Sequence, residues 1–432
     1  MPSLGRSTSR TDVVVVGAGA VGASIALELS RRGREVTVLE KGPGWASGCS
    51  WGNAGLICPS HAGPWASSQD IGQAMRWSLR PDSPLGIKPS PSLVPFMGRL
   101  LMNSWAAVER ATALSRRMCR ESIALHRDLW KAGLDTGFHQ SGLLDVYATS
   151  AGLERGRRGA ERHLETGVRC EMLDRRGVLQ LEPGINPKLA GGVFFPDEAH
   201  CDPAAFVEAV GGAACSGGGT TIVTGAEVLA MEEAAGKAVD VTTTAGRLRA
   251  DAVVVAAGAW SGRLARAMGC PIPLQGGKGY TIDLPNEDRV PIQRPVMLQE
   301  ERIAVTPLEG RLRFAGTMQF AGLDESINRR RVAAVHRAGT SMLPAWRDGA
   351  ISRIWSGLRP CTPDGLPLIG WLRDDLPVAL ATGHAMLGLT LAPLTGALVA
   401  DLLAGTEREE LAALDPTRFR GVRRCSSGRG AR

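Results

Sequence analysis

A chain of 432 residues with 44% hydrophobic content is long enough for two or three domains' worth of core. Its formal net charge is +7, but only six of the 50 basic residues are lysines and none form a stripe interleaved with aromatics, which excludes a nucleic-acid-binding reading. The nine cysteines show neither C-x-x-C nor metal-like Cys/His spacing, so no metal centre or disulfide framework is expected, and reduced thiols in a cytosolic compartment are.

The polar start MPSLGRSTSRTD has no secretory apolar core, consistent with a cytoplasmic protein. Val13–Val16 is a run of valines, as expected for a strand buried on both faces of a parallel sheet. Gly17, Gly19 and Gly22 follow as G-x-G-x-x-G. They predict a sharp turn, close backbone approach to a pyrophosphate, and close packing of the next helix. That helix, about Val21–Arg32, stops at Gly33, and its first turn (Ala20, Val21) offers N–H groups and a positive dipole end to phosphates. Glu35–Leu39 reads as the second strand, with Glu40 and Lys41 at its end. A carboxylate 18 residues beyond Gly22 suits ribose hydroxyls and repels a 2′-phosphate. Strand, glycines, helix, second strand and acid in register predict a dinucleotide site, with FAD and NAD both open.

Residues 42–61, rich in Gly, Ser and Trp, read as a long functional loop, and 62–95 as an irregular, proline-rich stretch. Helices are expected over Phe96–Ala113 and Leu114–Gly133, and strands over Gly142–Ala148 and Gly191–Phe195. Asp202 is a good N-cap and Pro203 a good first residue for a helix over Ala204–Cys215, ended by Gly217–Gly219. Thr220–Thr224 is a strand, and Ala250–Ala256 is a second buried parallel strand running into Ala257 and Gly258. Gln275–Leu284, Arg302–Pro307 and Leu312–Gln319 look like an antiparallel sheet, followed by a helix over Arg329–Met342. Pro377–Ala381 returns to buried-strand character, with a loop over Thr382–Thr390 and a helix ended by Gly405. Gly383, Gly388, Pro393 and Gly396 interrupt the apolar stretch Val378–Ala400, so it reads as strand, loop and buried helix rather than a membrane span. The arginine-rich end reads as a solvated tail, with contact to an anionic membrane surface as the alternative.

Together the motifs resemble the FAD-dependent D-amino-acid oxidoreductase superfamily, closest to its D-amino-acid dehydrogenase branch, over nearly all of residues 12–405. GAGAVGASIALELSRRGREVTVLEK is similar to the family's FAD fingerprint, and WGNAGLICPSHAGPWA to the Asn-Ala-Gly loop of the dehydrogenase branch. VVVAAGAWS looks like the second flavin-contact strand, and GLRPCTPDGLPLIG and TGHAMLGLTLAP are the most specific matches. Ser67–Asp70 and His200–Cys201 depart from the branch's usual residues.

The resemblance implies an α/β protein with a discontinuous FAD-binding doubly wound domain of the Rossmann-like, glutathione-reductase type. An α+β substrate domain with a mixed or antiparallel sheet would complete it. The expected FAD domain is 11–75, 200–270 and 355–415, the substrate domain 76–199 and 271–354, and the flexible termini 1–10 and 416–432. The implied FAD contacts are Gly17, Gly19, Ala20, Val21, Gly22, Glu40, Lys41, Asn53, Ala54, Gly55, Ala257, Gly258 and Trp260. Gly383, His384, Met386, Leu387, Gly388, Leu389 and Thr390 would close the flavin side. Related sarcosine oxidases attach flavin to a cysteine where alignment on Thr362–Asp364 puts Gly357, with Cys361 out of register, so FAD is expected to be non-covalent.

The implied reaction is oxidative deamination of a D-amino acid by hydride transfer from Cα to flavin N5, with D-proline, D-hydroxyproline, glycine or sarcosine as alternative substrates. A quinone or respiratory carrier would take the electrons, placing the protein in the cytoplasm or peripherally on the inner face of its membrane. Arg359 matches the clamp arginine of the resembled oxidases, a planar fork for a carboxylate, unless it pairs with an acid such as Asp364. Tyr280 is a candidate to hydrogen-bond the carboxylate or cover the site, or else a half-buried sheet tyrosine. The backbone of His384–Leu389 would support negative charge on the flavin, more than the His384 side chain does. His61 is a candidate substrate contact, and Asn53 a turn former.

Overall fold

The computed structural model describes residues 9–63, 85–88, 90, 93–286 and 290–419. The departure at 67–70 and the tail from 420 lie outside the described residues.

The first sheet begins with β1 (Ser9–Val16) and β2 (Val36–Glu40), joined by α1 (Ala20–Arg31). Short β3 (Leu56–Ile57) and β4 (Leu85–Ile87) follow, then α2 (Leu93–Leu101) and α3 (Trp105–Lys131). The expected pair of helices is therefore divided at Asn103–Ser104 rather than at Ala113, because Ser104 N-caps α3 by accepting the Ala107 N–H. The next segment carries β5 (Leu143–Tyr147), α4 (Ser150–Glu165), β6 (Glu171–Asp174), α5 (Arg175–Leu181) and β7 (Gly191–Phe195). After β8 (Ala199–His200) the chain returns to the first sheet through α6 (Pro203–Ser216), whose Asp202 cap accepts from Ala204 and Ala205. Strands β9 (Thr220–Thr224), β10 (Val228–Glu233), β11 (Val239–Thr243) and β12 (Gly246–Val255) precede α7 (Ser261–Ala267).

Strands β13 (Gln275–Pro285), β14 (Val296–Leu298), β15 (Ile303–Leu308) and β16 (Arg311–Phe320), with helix α8 (Arg329–Met342) and β17 (Arg353–Cys361), build the second sheet. The chain closes on the first sheet with β18 (Leu368–Trp371), β19 (Val378–Thr382), α9 (Ala392–Ala404) and α10 (Glu409–Leu414).

In the first sheet β19, β12, β1, β2 and β9 run parallel in that order, β18 adds antiparallel to β19, and β10–β11 pair with the early half of β12. Valines 13–16 point to both faces and are buried because helices α1, α6 and α9 cover one face and the β10–β11 hairpin and α7 the other. Gly396 lets α9 lie against α1, since a Cβ there would stand 2.6 Å from the Ser24 carbonyl oxygen. The second sheet is mixed, ordered β17-β13-β16-β15-β14-β5-β7-β6, with α8 on its apolar face. The boundary expected at 355 falls inside β17, which pairs with β13 in this sheet rather than with the first.

Among the described residues seven cysteines are free thiols. Pro416–Arg418 forms a 3-10 turn that Arg418 anchors on Asp364 at 2.8 Å, so the tail is ordered past its expected start at 416. Among the described residues no helix is long and apolar enough to cross a membrane, and no group of three His, Cys, Asp or Glu is placed to hold a metal.

Candidate active site at the sheet ends

The carboxyl ends of β1, β2 and β12 open on a cavity of about 640 Å³ that continues along the second sheet. A crevice at the strand ends is where open parallel sheets take nucleotides, and this size suits an enclosed ligand.

The dinucleotide half follows from the glycines. Gly17 turns at φ 109°, and a Cβ there would stand 2.6 Å from the Ala256 carbonyl oxygen. A Cβ on Gly22 would lie 1.9 Å from the Gly17 oxygen, so only glycine lets α1 start this close to the strand. Gly19, Ala20 and Val21 then line the cavity. Glu40, buried at the end of β2, accepts the Ala18 N–H at 2.8 Å and the Gly42 N–H at 2.7 Å while keeping contact with the cavity. These two bonds fix the carboxylate and leave lone pairs for hydroxyl donors. Lys41 lies over the Trp260 ring, 3.6 Å from its centroid, and both line the cavity with Ala257 and Gly258. A Cβ-free cradle at a helix N-terminus, with an acid at the second strand's tip, fits the pyrophosphate and ribose of a dinucleotide.

The loop at 49–54 forms the next wall. Three consecutive carbonyls of this loop are held by side chains of the second sheet. Arg313 Nη1 donates to Trp51 O at 2.9 Å and Asn53 O at 3.0 Å, and Thr281 Oγ1 donates to Gly52 O at 2.7 Å. Arg313 is itself fully buried and paired with Asp283 through two bonds of 2.8 and 2.9 Å. Asn53 acts as a turn former, its Oδ1 accepting the Gly55 N–H at 2.8 Å. Asn53 and Ala54 line the cavity. Gly55 does not, and it takes the turn at φ 83° against the Cys201 carbonyl.

His384, Met386, Leu387, Gly388 and Leu389 line the opposite wall, whereas Gly383 and Thr390 do not. Thr390 turns its hydroxyl to the Leu56 carbonyl at 3.1 Å. His384 Nε2 meets Thr395 Oγ1 at 3.0 Å, and burial pushes its pKa down to about 4, so its ring is neutral and satisfied within the protein.

In the second-sheet half, Arg359 reaches the cavity from β17. Its Nη1 donates to the Thr317 carbonyl at 2.9 Å, and among the described residues no carboxylate pairs with it. Asp364 is taken by Arg418 instead. Burial is the largest influence on Arg359 and lowers its pKa, against the Cys361 and Cys49 thiols. A guanidinium stays protonated even so, and an unpaired one in a pocket is a receptor for an anion. Cys49 also lines the cavity, but burial pushes its thiol up to about 11 against the opposing charge of Arg359, so no thiolate stands ready for covalent attachment.

Tyr280 does not reach the site. Gly279 and Thr281 face the cavity, so strand alternation turns Tyr280 into the core under α8, where it is fully buried. Lys278 shares that face and pairs with Asp324 at 3.1 Å.

His61 does line the cavity, held by Ser60 Oγ at 2.8 Å on Nδ1 and by Asp145 Oδ1 at 3.3 Å on Nε2. Glu198 accepts the Ser60 N–H at 3.0 Å, and burial pushes its own pKa up to about 7 against the bonds from Ser60 and the His61 charge. Burial lowers the pKa of His61, but Asp145 and then Glu198 outweigh it over the opposing Arg302, leaving a net rise. A histidine raised in the folded state contributes stability that is fully present below its unfolded pKa of about 6.5 and is lost as pH rises through the raised value. Asp145→Asn is expected to drop the His61 pKa below 6.5 and to abolish that loss of stability, read by the ring-proton NMR titration and by Tm across pH.

Residues not foreseen in the sequence also line the cavity: Ser50, Arg263, Gln299, Arg302 and Thr317 among them. Ser50 Oγ accepts the Ala20 N–H at 2.9 Å, capping α1 from a distant loop. Its position in a Gly-Cys-Ser stretch carries no local signal of that long-range contact.

The model of a family described as FAD dependent oxidoreductase (DAO) matches residues 12–402. A D-amino acid dehydrogenase of Methylobacterium sp. (strain 4-46) is 32% identical over 407 residues, covering 92% of this chain and 96% of its own. A D-amino-acid oxidase of Bradyrhizobium diazoefficiens is 33% identical over 424 residues, covering 94% and 98%. Among solved structures, glycine oxidase from Geobacillus kaustophilus superposes with a TM-score of 0.77 at 27% identity, covering 96% of this chain and 100% of that one. With the cradle, the ribose-side acid and the family match over nearly the whole chain, the protein belongs to the DAO family of FAD-dependent oxidoreductases and is an FAD-dependent enzyme.

Proposed function

We propose that the protein oxidatively deaminates D-amino acids, with Arg359 holding the substrate carboxylate. The observation that carries this reading is the Arg359 guanidinium, which lines the cavity with no carboxylate partner among the described residues. The D-amino acid dehydrogenase and oxidase names of relatives at 32–33% identity support the substrate class. FAD, when bound, supplies the two-electron acceptor for the hydride leaving Cα. The residues 17–22, 40–41, 49–54, 257–260 and 384–389 would hold it. The substrate amine must be neutral to release the hydride. Loss of that hydride and one N–H proton leaves an imino acid, which water hydrolyses to a 2-oxo acid and ammonia.

The chain contributes mostly orientation and exclusion of water. Arg359 fixes the carboxylate, and the cavity walls around Cα then limit which face is presented. The backbone at Met386–Leu389 supports developing negative charge, and His61 bounds the substrate space. We assign the electrons to a quinone or respiratory carrier, with at most peripheral contact at the inner membrane face. In a turnover assay with D-alanine and D-proline, 2-oxo or imino acid formation should be faster with a soluble quinone analogue than with oxygen alone. Peroxide produced in step with substrate at an undiminished rate without quinone would contradict the acceptor.

A further inference from the structure

Strand β16 changes partner at one residue. Up to Gly316 it pairs with β15, and from Met318 it pairs with β4. On its other side it carries a bulge against β13. Lys278 faces Gln319 and Tyr280 faces Gly316, so Gly279 alone opposes both Thr317 and Met318. Thr317 sits in this bulge at φ 64°, in the left-handed region that a β-branched residue rarely enters. Bulges next to sites re-aim groups that a regular ladder would consume, and strained backbone of this kind clusters where ligands are gripped.

Two groups are re-aimed here. The Thr317 carbonyl leaves the ladder and accepts from Arg359 Nη1 at 2.9 Å, the one hydrogen bond of that guanidinium among the described residues. Across from it a Cβ on Gly279 would stand 2.0 Å from Nη1, so the guanidinium lies in a slot between the bulge and bare glycine backbone. The Thr317 hydroxyl is buried without a hydrogen-bond partner among the described residues, on a side chain that lines the same cavity. A buried hydroxyl without a partner is costly unless a ligand supplies the acceptor.

We propose that Thr317 completes the carboxylate clamp, aiming Arg359 through its carbonyl and donating its own hydroxyl to the substrate carboxylate. This rests on the reading of Arg359 as the carboxylate receptor. The strained bulge is then the device that brings a neutral donor beside the charged one.

The test uses FAD-loaded wild type, Thr317→Val, Thr317→Ser and Arg359→Lys, with D-alanine as substrate and D-alaninamide as the probe lacking a carboxylate. Thr317→Val is expected to keep its FAD and to raise KM for D-alanine about tenfold to a hundredfold, with a smaller change in kcat, because one hydrogen bond to a charged group is lost. Thr317→Ser should bring KM back to within about threefold of wild type, as expected when the hydroxyl alone is restored. D-Alaninamide should reduce wild type and Thr317→Val at the same rate. If Thr317→Val matches wild type on D-alanine while Arg359→Lys is weakened, the hydroxyl has no such role and the clamp reading survives. Equal impairment of the Val and Ser variants would make Thr317 structural and overturn the proposal. No change in KM for Arg359→Lys either would remove the clamp reading beneath it.

Discussion

Replacing Arg359 by methionine is expected to lower kcat/KM for D-amino acids by about 10²–10⁴-fold, since a carboxylate then loses two charge-assisted hydrogen bonds of roughly 1.5–3 kcal/mol each. FAD should stay bound, because Arg359 lies on β17 of the second sheet and the glycine cradle lies at the end of β1. The variant removes an uncompensated buried charge, so folding stability should not fall with activity. Steady-state kinetics beside the visible flavin spectrum and Tm check all three parts. A loss of FAD in step with activity would move Arg359 from the substrate to the cofactor.

Arg313→Met should have the largest effect on stability and on cofactor retention together. Removing one partner of a buried ion pair typically costs about 3–5 kcal/mol, because the remaining charge is left unpaired. Here that charge is Asp283, which among the described residues would keep only an ion pair with Arg311 Nε at 3.4 Å, so the lower end of that range is expected. The same substitution releases the Trp51 and Asn53 carbonyls, and with them the loop that walls the cavity. Tm is expected to fall on the order of 3–6 °C for a chain of this length, with FAD released at lower urea than in wild type. The double variant Arg313→Met/Asp283→Leu should recover part of the Tm but not the FAD retention, since it removes a buried charge left with only the longer Arg311 contact, without restoring the loop anchor. Tm and FAD fluorescence during denaturation would measure both.

The dinucleotide half was legible in the sequence because its physics is local. Four valines, three glycines at fixed spacing and an acid at the next strand's tip each specify their own backbone, and β1, α1 and β2 fall where those residues put them. Asp202 and Pro203 likewise announce the start of α6. The second sheet was less legible. Strands β5, β7, β13, β15 and β16 read as strands, but β6, β14, β17, α4 and α5 were not anticipated, since α4 carries few apolar residues and the others are set by pairing and packing within the sheet. Tyr280 shows the limit at a single side chain. Its strand was foreseen, yet which face meets the cavity depends on register across three strands, and there the glycine and threonine beside it face the cavity. Arg313 and Thr317 were invisible for the same reason, because an ion pair 30 residues apart and a bulge at a change of strand partner exist only after the sheet has formed.

The most direct measurement is an anaerobic titration of the FAD-loaded protein with D-alanine, D-proline and their L enantiomers, followed through the flavin's visible absorption. Bleaching by a D form and not by its L form, with a 2-oxo or imino acid appearing in equal amount, is the result expected of a D-amino-acid oxidoreductase whose cavity orients a carboxylate held by Arg359. Flavin that stays oxidised with every amino acid but is reduced by NADH or NADPH would contradict it.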